Sequence, residues 1–306
     1  MYTDIKKNKW KSAFIVSGFI VFLTVLTYFI CQMFELGSVS IVIALIFSIL
    51  SAWGSYYYSD KIVLSLNHAR PATHEENQKI VNILDALVVA SGMEYTPKLY
   101  IVDDPQPNAF ATGRNPKNSV ICLTTGLLDT LDYYELEGVI GHELAHIKNY
   151  DILLSAVVSV MVGLIVMVAD ITTRALFWGV GGRDSDNDNG NGNAILFLIG
   201  LVLLILSPIF SKLMQLALSR RREFLADATS VSFTRNPDGL ISALRKLDAD
   251  EHELKTANRS TANMFIVCPF KKNAVDSHGK TIKRSKNLFS THPSIEDRIA
   301  ALESLR

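Results

Sequence analysis

Three features are scarce in this 306-residue chain: cysteine, net charge, and charged side chains within four long stretches. The only cysteines are Cys31, Cys122 and Cys268, too few and too scattered for a disulfide framework or a thiolate zinc site. The formal net charge is zero, which argues against a nucleic-acid partner, because phosphate binding requires a concentrated basic surface. The composition therefore excludes a disulfide-stapled scaffold and a nucleic-acid-binding protein, and it fits a reducing compartment.

The four stretches without charge account for a hydrophobic content of 49%. A bilayer requires roughly 17–25 apolar residues per spanning helix, so each stretch is long enough to cross one. The first has too long an apolar run for a cleaved signal peptide and is predicted to be a retained anchor. For the third and fourth, at 18 residues each, the alternative is a buried core helix. The predicted spans are residues 12–34, 36–59, 152–169 and 194–211.

Basic residues predict how these spans are oriented. Four lysines precede the first span, and four basic residues at positions 212–222 follow the fourth. The loop between the third and fourth spans instead contains one arginine among three aspartates and many Asn and Gly residues. Because short cytoplasmic loops carry the excess of Lys and Arg, both termini and residues 60–151 are predicted to be cytoplasmic. The chain is predicted to be a multi-pass protein of the cell membrane.

Two polar pieces remain on the cytoplasmic side, and one joint domain assembled from both is the economical prediction. The first piece contains two helices with capping boxes, Thr73 with Glu76 and Asp132 with Glu135, around three short strands. This order of elements is typical of an α+β fold. The predicted divisions are a tail with two spans (1–59), the first polar piece of the domain (60–151), two spans with an external loop (152–218) and the second polar piece of the domain (219–306).

The segment "VIGHELAHIKNYD" places two histidines four residues apart on the second capped helix. Both imidazoles of His142 and His146 then project from one helix face, which suits two ligands of a tetrahedral zinc ion. Glu143 beside them can hold the attacking water and take its proton. The alternative is a pair of core histidines hydrogen-bonded to the backbone. The same helix is predicted to run on into the third span, which would hold the zinc within roughly 10 Å of the bilayer.

A catalytic zinc takes a third protein ligand from another element. The segment "SRRREFLADATS" places Glu223 and Asp227 one turn apart on a helix predicted to continue from the fourth span. Glu223 would bind the metal while Asp227 accepts a hydrogen bond from a ligating histidine and fixes its tautomer. The alternative is an ion pair with Arg220 or Arg221 on a solvated helix face.

"GHELAHIKNYD" followed by "SRRREFLADATS", with two spans before the first and two between them, resembles the HtpX family of membrane-integrated zinc metalloproteases, relatives of the CAAX prenyl endopeptidases. The resemblance covers almost the whole chain. It implies a cytoplasmic zincin-like (gluzincin) catalytic domain and one Zn²⁺ per chain. By this resemblance His142, His146 and Glu223 bind zinc, Glu143 is the catalytic base, and Asp227 supports a ligand.

Two further segments resemble elements of this family. "STHPSIEDRIAAL" matches an element whose histidine and arginine face the reaction centre, here His292 and Arg298, where a donor would stabilise the oxyanion. His292 could equally cap the helix that starts near Pro293. "PNAFATG", with Asn108, resembles an edge strand that holds an extended peptide by main-chain hydrogen bonds, and its alternative is an ordinary strand.

The function expected from these patterns is that of a zinc-dependent endopeptidase at the cytoplasmic face. The resemblance implies a role in quality control and stress response, with misfolded or damaged membrane proteins as substrates and the lipid bilayer as a partner. One alternative is a CAAX-type prenyl-protein endopeptidase, which requires an intramembrane chamber that four spans are too few to enclose. Another is a non-catalytic zinc-stabilised scaffold, which would be expected to lack Glu143.

Overall fold

The structure is a computed structural model that describes residues 10, 13–14, 16–25, 27–28, 37–161, 163, 220–252, 254, 260–269, 273–275, 281–283 and 293–306. The fourth predicted span, the predicted external loop and His292 lie outside the described residues. The helices are α1 Val16–Val25, α2 Val39–Leu66, α3 His74–Ser91, α4 Thr125–Thr130, α5 Tyr133–Lys148, α6 Asp151–Met161, α7 Arg220–Thr234, α8 Pro237–Ala249 and α9 Ile295–Glu303, with a 3₁₀ turn at Ala262–Met264. The strands are β1 Arg70–Pro71, β2 Lys98–Val102, β3 Ala109–Asn115, β4 Asn118–Thr124, β5 Asn273–Val275 and β6 Thr281–Lys283.

The predicted α+β order is confirmed in the segment between α2 and α6. β1, β2, β4 and β3 form one sheet in that spatial order, with β2 parallel to β4 and β3 antiparallel to β4. β3 therefore lies at an edge of this sheet. The β3–β4 turn is short, because β3 extends to Asn115 and β4 begins at Asn118. The small β5–β6 pair forms a separate antiparallel sheet.

Both predicted capping boxes are present and explain where α3 and α5 begin. The Thr73 side chain accepts a hydrogen bond from the backbone of Glu76, and the Glu76 side chain accepts one from the backbone of Thr73. Asp132 and Glu135 make the same reciprocal pair at the start of α5. Each box satisfies two donors that the first helical turn would otherwise leave open. α3 ends at Gly92 with φ of 67°, a left-handed conformation that glycine adopts without a side-chain clash.

The two polar pieces share one hydrophobic core, as the joint-domain prediction requires. The largest cluster of buried residues draws from α3, the sheet and α5 of the first piece and from α8 and α9 of the second. α5 lies at the centre of this arrangement and approaches α8 closely at Gly138. A Cβ added there would lie 2.8 Å from the backbone nitrogen of Leu240, so glycine is required for the helices to pack at this separation.

Of the four predicted spans, the second is the one best matched by a helix among the described residues. α2 is 28 residues long with a mean hydropathy of 1.9, and among the described residues it is the one helix long and apolar enough to cross a membrane. The first and third predicted spans are represented by the shorter apolar helices α1 and α6. The start of α6 belongs to the core of the domain, because Ile152 is buried in the main cluster and Ala156 in a second one.

The helix that carries the histidines does not run unbroken into the third span. α5 ends at Lys148, Asn149 caps it, and Tyr150 adopts a φ of 61° before α6 begins at Asp151. A non-glycine residue with positive φ interrupts the helical hydrogen-bond ladder and redirects the chain. The predicted distance of the site from the bilayer assumed one continuous helix and therefore loses its basis.

Candidate metal centre

α5 places His142 and His146 on one face, directed at α7. His142 is 1% exposed and its ring centroid lies 4.7 Å from that of His146, with the two rings nearly perpendicular. A spacing of four residues brings side chains to the same helix face, one turn apart. α7 packs against this face and presents Glu223, which is 5% exposed.

Two ring nitrogens and one carboxylate converge on a single point. The Nε2 atoms of His142 and His146 lie 3.1 Å apart. The carboxylate oxygens of Glu223 lie 3.7 Å from Nε2 of His142 and 3.6 Å from Nε2 of His146. One candidate ligand atom from each residue thus lies within 4.8 Å of both others.

These separations fit a tetrahedral zinc ion. Nitrogen and oxygen ligands 2.0–2.2 Å from a tetrahedral centre lie about 3.3–3.6 Å from each other. The three separations of 3.1, 3.6 and 3.7 Å bracket that spacing. Two imidazoles and one carboxylate also match a common donor set of catalytic zinc sites, which leaves the fourth position for water.

The Nδ1 atom of His142 is held by a buried ion pair. Asp227 Oδ1 lies 2.9 Å from it, and an ionised carboxylate has only acceptors, so Nδ1 carries the proton and Nε2 is left to face the centre. Arg298 binds the same carboxylate with both arms of its guanidinium, Nη2 to Oδ1 at 2.6 Å and Nε to Oδ2 at 2.8 Å. Burial opposes ionisation of Asp227, but Arg298 and His142 outweigh it and hold its pKa below its usual value.

Arg298 thus lies against Asp227 and is not among the residues that line the cavity at the centre. Its Nη1 donates to the backbone carbonyl of Ile266 at 3.1 Å and lies 4.0 Å from a Glu223 oxygen. These contacts direct the guanidinium of Arg298 at Asp227, and its predicted role as an oxyanion donor stays a prediction. His292, the other residue predicted for that role, lies outside the described residues.

Two further buried residues of the site, Asp151 and Arg222, were not predicted from the sequence. Asp151 Oδ2 lies 3.1 Å from Nδ1 of His146, and Arg222 Nη1 lies 3.6 Å from Asp151 Oδ1. In a continuous helix Asp151 would project from another face than His146, so helical spacing could not pair them. The local signal was Asn149, a residue type that often ends helices.

Burial and charge set the protonation of the three α5 residues. Complete burial lowers the pKa of His142. Burial also disfavours charge on His146, but its hydrogen bond to Asp151 and the charges of Glu223, Asp151 and Glu143 prevail and raise its pKa to about 9. Burial raises the pKa of Glu143 to about 7, which places this carboxyl in the range of a general base that works near neutral pH.

A small cavity of about 30 Å³ lies at the centre, enough to admit water. Its lining includes His142, Glu143, His146 and Glu223, and residues 263–266 form a further part of its wall. Phe265 is fully buried in that wall and packs edge-on against Phe110 of β3, with ring centroids 4.9 Å apart. The cavity as it stands admits water but has no room for a peptide.

Residues 263–267, hereafter the covering segment, follow the edge of β3. The Ile266 backbone N–H donates to the Ala109 carbonyl at 2.9 Å. Asn108 is fully buried and binds the backbone of Val267 twice, donating from Nδ2 to the carbonyl at 3.0 Å and accepting at Oδ1 from the N–H at 3.3 Å. The predicted edge strand is therefore present, and its outer side is occupied by the chain itself.

Comparison with known proteins identifies a family and several relatives of this chain. A family model described as peptidase family M48 matches residues 74–306. The protease HtpX homolog of Dictyoglomus turgidum is 42% identical over 304 residues, covering 99% of this chain and 94% of the relative. The protease HtpX homolog of Lactobacillus helveticus is 40% identical over 309 residues, covering all of both. A crystal structure of S. mikatae Ste24p aligns with a TM-score of 0.47 and 16% identity, covering 99% of this chain and 67% of that one.

The family match spans both polar pieces, and the similarity to the two HtpX homologs extends through the apolar stretches as well. The resemblance to the HtpX family found in the sequence is therefore confirmed, and with it the expectation of an enzyme. The chain belongs to peptidase family M48 and is a membrane metallopeptidase.

Proposed function

We propose that this metallopeptidase is a zinc endopeptidase in which His142, His146 and Glu223 hold one Zn²⁺. The convergence of these donor atoms, 3.1–3.7 Å apart, is the observation that carries the proposal. When bound, the ion would supply Lewis-acid activation of the attacking water and of the scissile carbonyl. The mixed nitrogen and oxygen donors suit zinc better than calcium or magnesium, which prefer oxygen donors alone.

Glu143 is the catalytic base in this proposal. Its side chain is 2% exposed and lines the cavity beside both histidines. It takes one proton from the attacking water as the new C–O bond forms, and it delivers that proton to the amine nitrogen as the C–N bond breaks. Asp227, bound by Arg298, holds His142 in the tautomer that leaves Nε2 as a donor to the metal. Arg298 acts here through Asp227.

The first experiment compares detergent-purified wild type with Glu143→Gln, each incubated with zinc and with casein as an unfolded substrate. Cleavage by the wild type alone, with about one zinc per chain retained in both, supports the proposal and assigns the base. Retention of zinc without cleavage by either protein would favour a binding role. Loss of zinc from both would contradict the ligand assignment.

Substrates are proposed to bind as extended chains along the edge of β3, where main-chain hydrogen bonds give low side-chain specificity. This requires the covering segment to leave Ala109, because a carbonyl that already accepts from Ile266 cannot pair with a substrate strand. A disulfide between Ala109→Cys and Ile266→Cys tests this, since adjacent strands bring residues close enough for such a bond. Oxidation is expected to stop casein cleavage and reductant to restore it. Undiminished cleavage by the oxidised protein would contradict this binding mode.

The surface of α2 supports insertion in a bilayer. Its buried residues are mostly small, whereas its large apolar side chains are exposed, the reverse of a helix in a water-soluble protein. Trp53, Tyr57 and Tyr58 follow in the helix, and Lys61 and Arg114 lie over two of the tyrosine rings. Aromatic and basic side chains at this level are typical of a membrane–water interface. The small buried residues are Ser40, Ala44, Ser48, Ala52, Ser55 and Ser59.

The full topology is proposed to be four spans in the cell membrane with both termini and the site in the cytoplasm, as the distribution of basic residues indicates. Unfolded or damaged membrane proteins are then the natural substrates, in a role of quality control. Thiol labelling tests the topology in a Cys31→Ser background. An impermeant maleimide applied to intact cells is expected to label Asn189→Cys and to leave the exposed Cys268 unlabelled until the membrane is opened. Labelling of Cys268 but not of Asn189→Cys in intact cells would instead indicate the reversed orientation.

A further inference from the structure

The break between α5 and α6 has a direct effect on the site. In a continuous helix, a residue five positions after His146 lies about 140° around the axis and about 7.5 Å further along it. Asp151 instead comes to 3.1 Å from Nδ1 of His146, because Tyr150 has a φ of 61° and α6 starts in a new direction. The break therefore delivers this carboxylate to the histidine.

Asp151 lies in contact with His146 on one side and with Arg222 on the other. It is 4% exposed, so its charge is largely removed from water. One oxygen faces His146 Nδ1, and the other lies 3.6 Å from Nη1 of Arg222, which is 9% exposed. Arg222 precedes Glu223 on α7, so this contact also ties the start of α6 to the helix that carries the third candidate ligand.

The arrangement repeats the one around His142. There Asp227 binds Nδ1 at 2.9 Å and Arg298 neutralises Asp227. In both cases a buried carboxylate fixes the imidazole so that Nε2 faces the common centre, and a buried arginine balances the carboxylate. Partners of this kind set the tautomer and orientation of metal-binding histidines, and their loss typically weakens metal affinity 10–100-fold.

We propose that Asp151 is the positioning residue of His146, that Arg222 holds Asp151 in place, and that the α5–α6 break exists to form this pair. The proposal rests on the proposed zinc site. A competing explanation is that Asp151 serves only as an acidic residue in the first turn of α6, where it would stabilise the helix dipole. The two explanations differ in what a substitution does to metal affinity.

The test measures the zinc dissociation constant of full-length protein in detergent by competition with a chelator. Asp151→Ser keeps a residue suited to a helix start but is too short to reach His146, and its affinity is expected to fall about 10–100-fold. Asp151→Asn keeps an acceptor at the same position, so most of the affinity is expected to be retained. Asp132→Ala is the matched control, because it removes an acidic cap at the other end of α5 without touching the site.

A cobalt-loaded sample adds a second readout, since the visible absorption of Co²⁺ changes with the geometry of its ligands. Asp151→Ser is expected to shift this spectrum and Asp132→Ala to leave it unchanged. Wild-type zinc affinity and an unshifted spectrum for Asp151→Ser would overturn the proposal and leave Asp151 as a helix-start residue. Absence of zinc binding by the wild type would instead contradict the proposed zinc site, which keeps the two failures distinct.

Should Asp151→Ser fail to fold, Arg222→Gln and the double variant Asp151→Asn/Arg222→Gln address the same pair. Residues that act in one chain of contacts show non-additive effects. The loss of zinc affinity in the double variant is therefore expected to be smaller than the product of the two single losses. Independent, multiplicative losses would overturn the link between Arg222 and Asp151.

Discussion

The two histidines of the centre are supported by similar chemistry in different surroundings. His142 is completely buried, and its partner Asp227 is gripped by Arg298 in two hydrogen bonds of 2.6 and 2.8 Å. His146 has a side chain that is 16% exposed, and its partner Asp151 lies 3.6 Å from a single arginine nitrogen. The His142 side therefore lies deeper in the core than the His146 side, which borders the start of α6.

This difference shows how one centre can border two kinds of surroundings. Arg298 also donates to Ile266 in the covering segment, so the His142 side contacts that segment as well as Asp227. Ile152 and Ser155 line the cavity next to His146, where the domain passes into the apolar helix α6. The covering segment thus contacts the His142 side through Arg298, and the α5–α6 break borders the His146 side.

The largest expected effect is a difference in unfolding free energy between substitutions of Arg298 and of Arg222. Arg298→Ala leaves Asp227 as an uncompensated buried charge and is expected to cost about 3–5 kcal/mol of unfolding free energy. Arg222→Ala is expected to cost less, because its contact with Asp151 is longer. The exposed pair of Arg245 with Glu303 is the control, at about 0–1 kcal/mol for Arg245→Ala. Thermal unfolding in detergent measures the order, and equal effects at Arg298 and Arg222 would remove the distinction between the two sides.

The two histidines are expected to differ in charge before metal binds, and proton release on metal binding measures that difference. Metal-free His146 holds a proton up to its pKa of about 9, whereas burial lowers the pKa of His142. Zinc must displace the proton from His146, so zinc affinity is expected to rise about tenfold per pH unit between about pH 7 and 9. Calorimetry in buffers of different ionisation enthalpy counts the protons, and the Glu143→Gln variant removes any contribution from Glu143. If zinc binding releases no proton near pH 7.5, the protonated state assigned to metal-free His146 is wrong.

The same pKa values predict how the stability of the metal-free protein depends on pH. The pKa of His146 is raised, so its contribution is fully present below about pH 6.5 and is lost as the pH rises through about 9. The pKa of Glu143 is also raised, and its contribution is lost between about pH 4.5 and 7. Because the lowered pKa of His142 acts in the opposite sense below about pH 6.5, the unfolding temperature without metal is expected to fall from about pH 6.5 to 9, while the stabilisation by added zinc grows. A parallel pH dependence with and without zinc would contradict this.

The smallest expected effect is the change in zinc affinity caused by a substitution of Tyr150, at the break between α5 and α6. Tyr150→Gly keeps a positive φ at no steric cost and is expected to change zinc affinity by less than about threefold. Tyr150→Pro fixes φ near −65°, which is incompatible with the break, and is expected to weaken zinc binding as strongly as loss of Asp151. Chelator competition measures both variants. Similar affinities for the Gly and Pro variants would show that the geometry of the break is not needed.

Much of the fold followed from local patterns. The capping residues Thr73 and Asp132 marked the starts of α3 and α5, because caps act within one turn of the chain. Short apolar runs bounded by turn residues predicted the three strands β2, β3 and β4 for the same reason. The break at Tyr150 was missed, since no glycine or proline marks it and a tyrosine with positive φ depends on contacts made elsewhere.

In the candidate site, too, features within one helix could be predicted from the sequence, whereas contacts between elements could not. The spacing of His142 and His146, and of Glu223 and Asp227, is a property of a single helix and could be derived from the sequence alone. The sequence also determined that a long apolar helix lies beside this domain. The contacts of Arg298 with Asp227, of Asp151 with His146, and of the covering segment with β3 join residues from different elements or across a redirected chain. Only the tertiary structure decided these contacts, because they depend on how the helices pack and where one of them breaks.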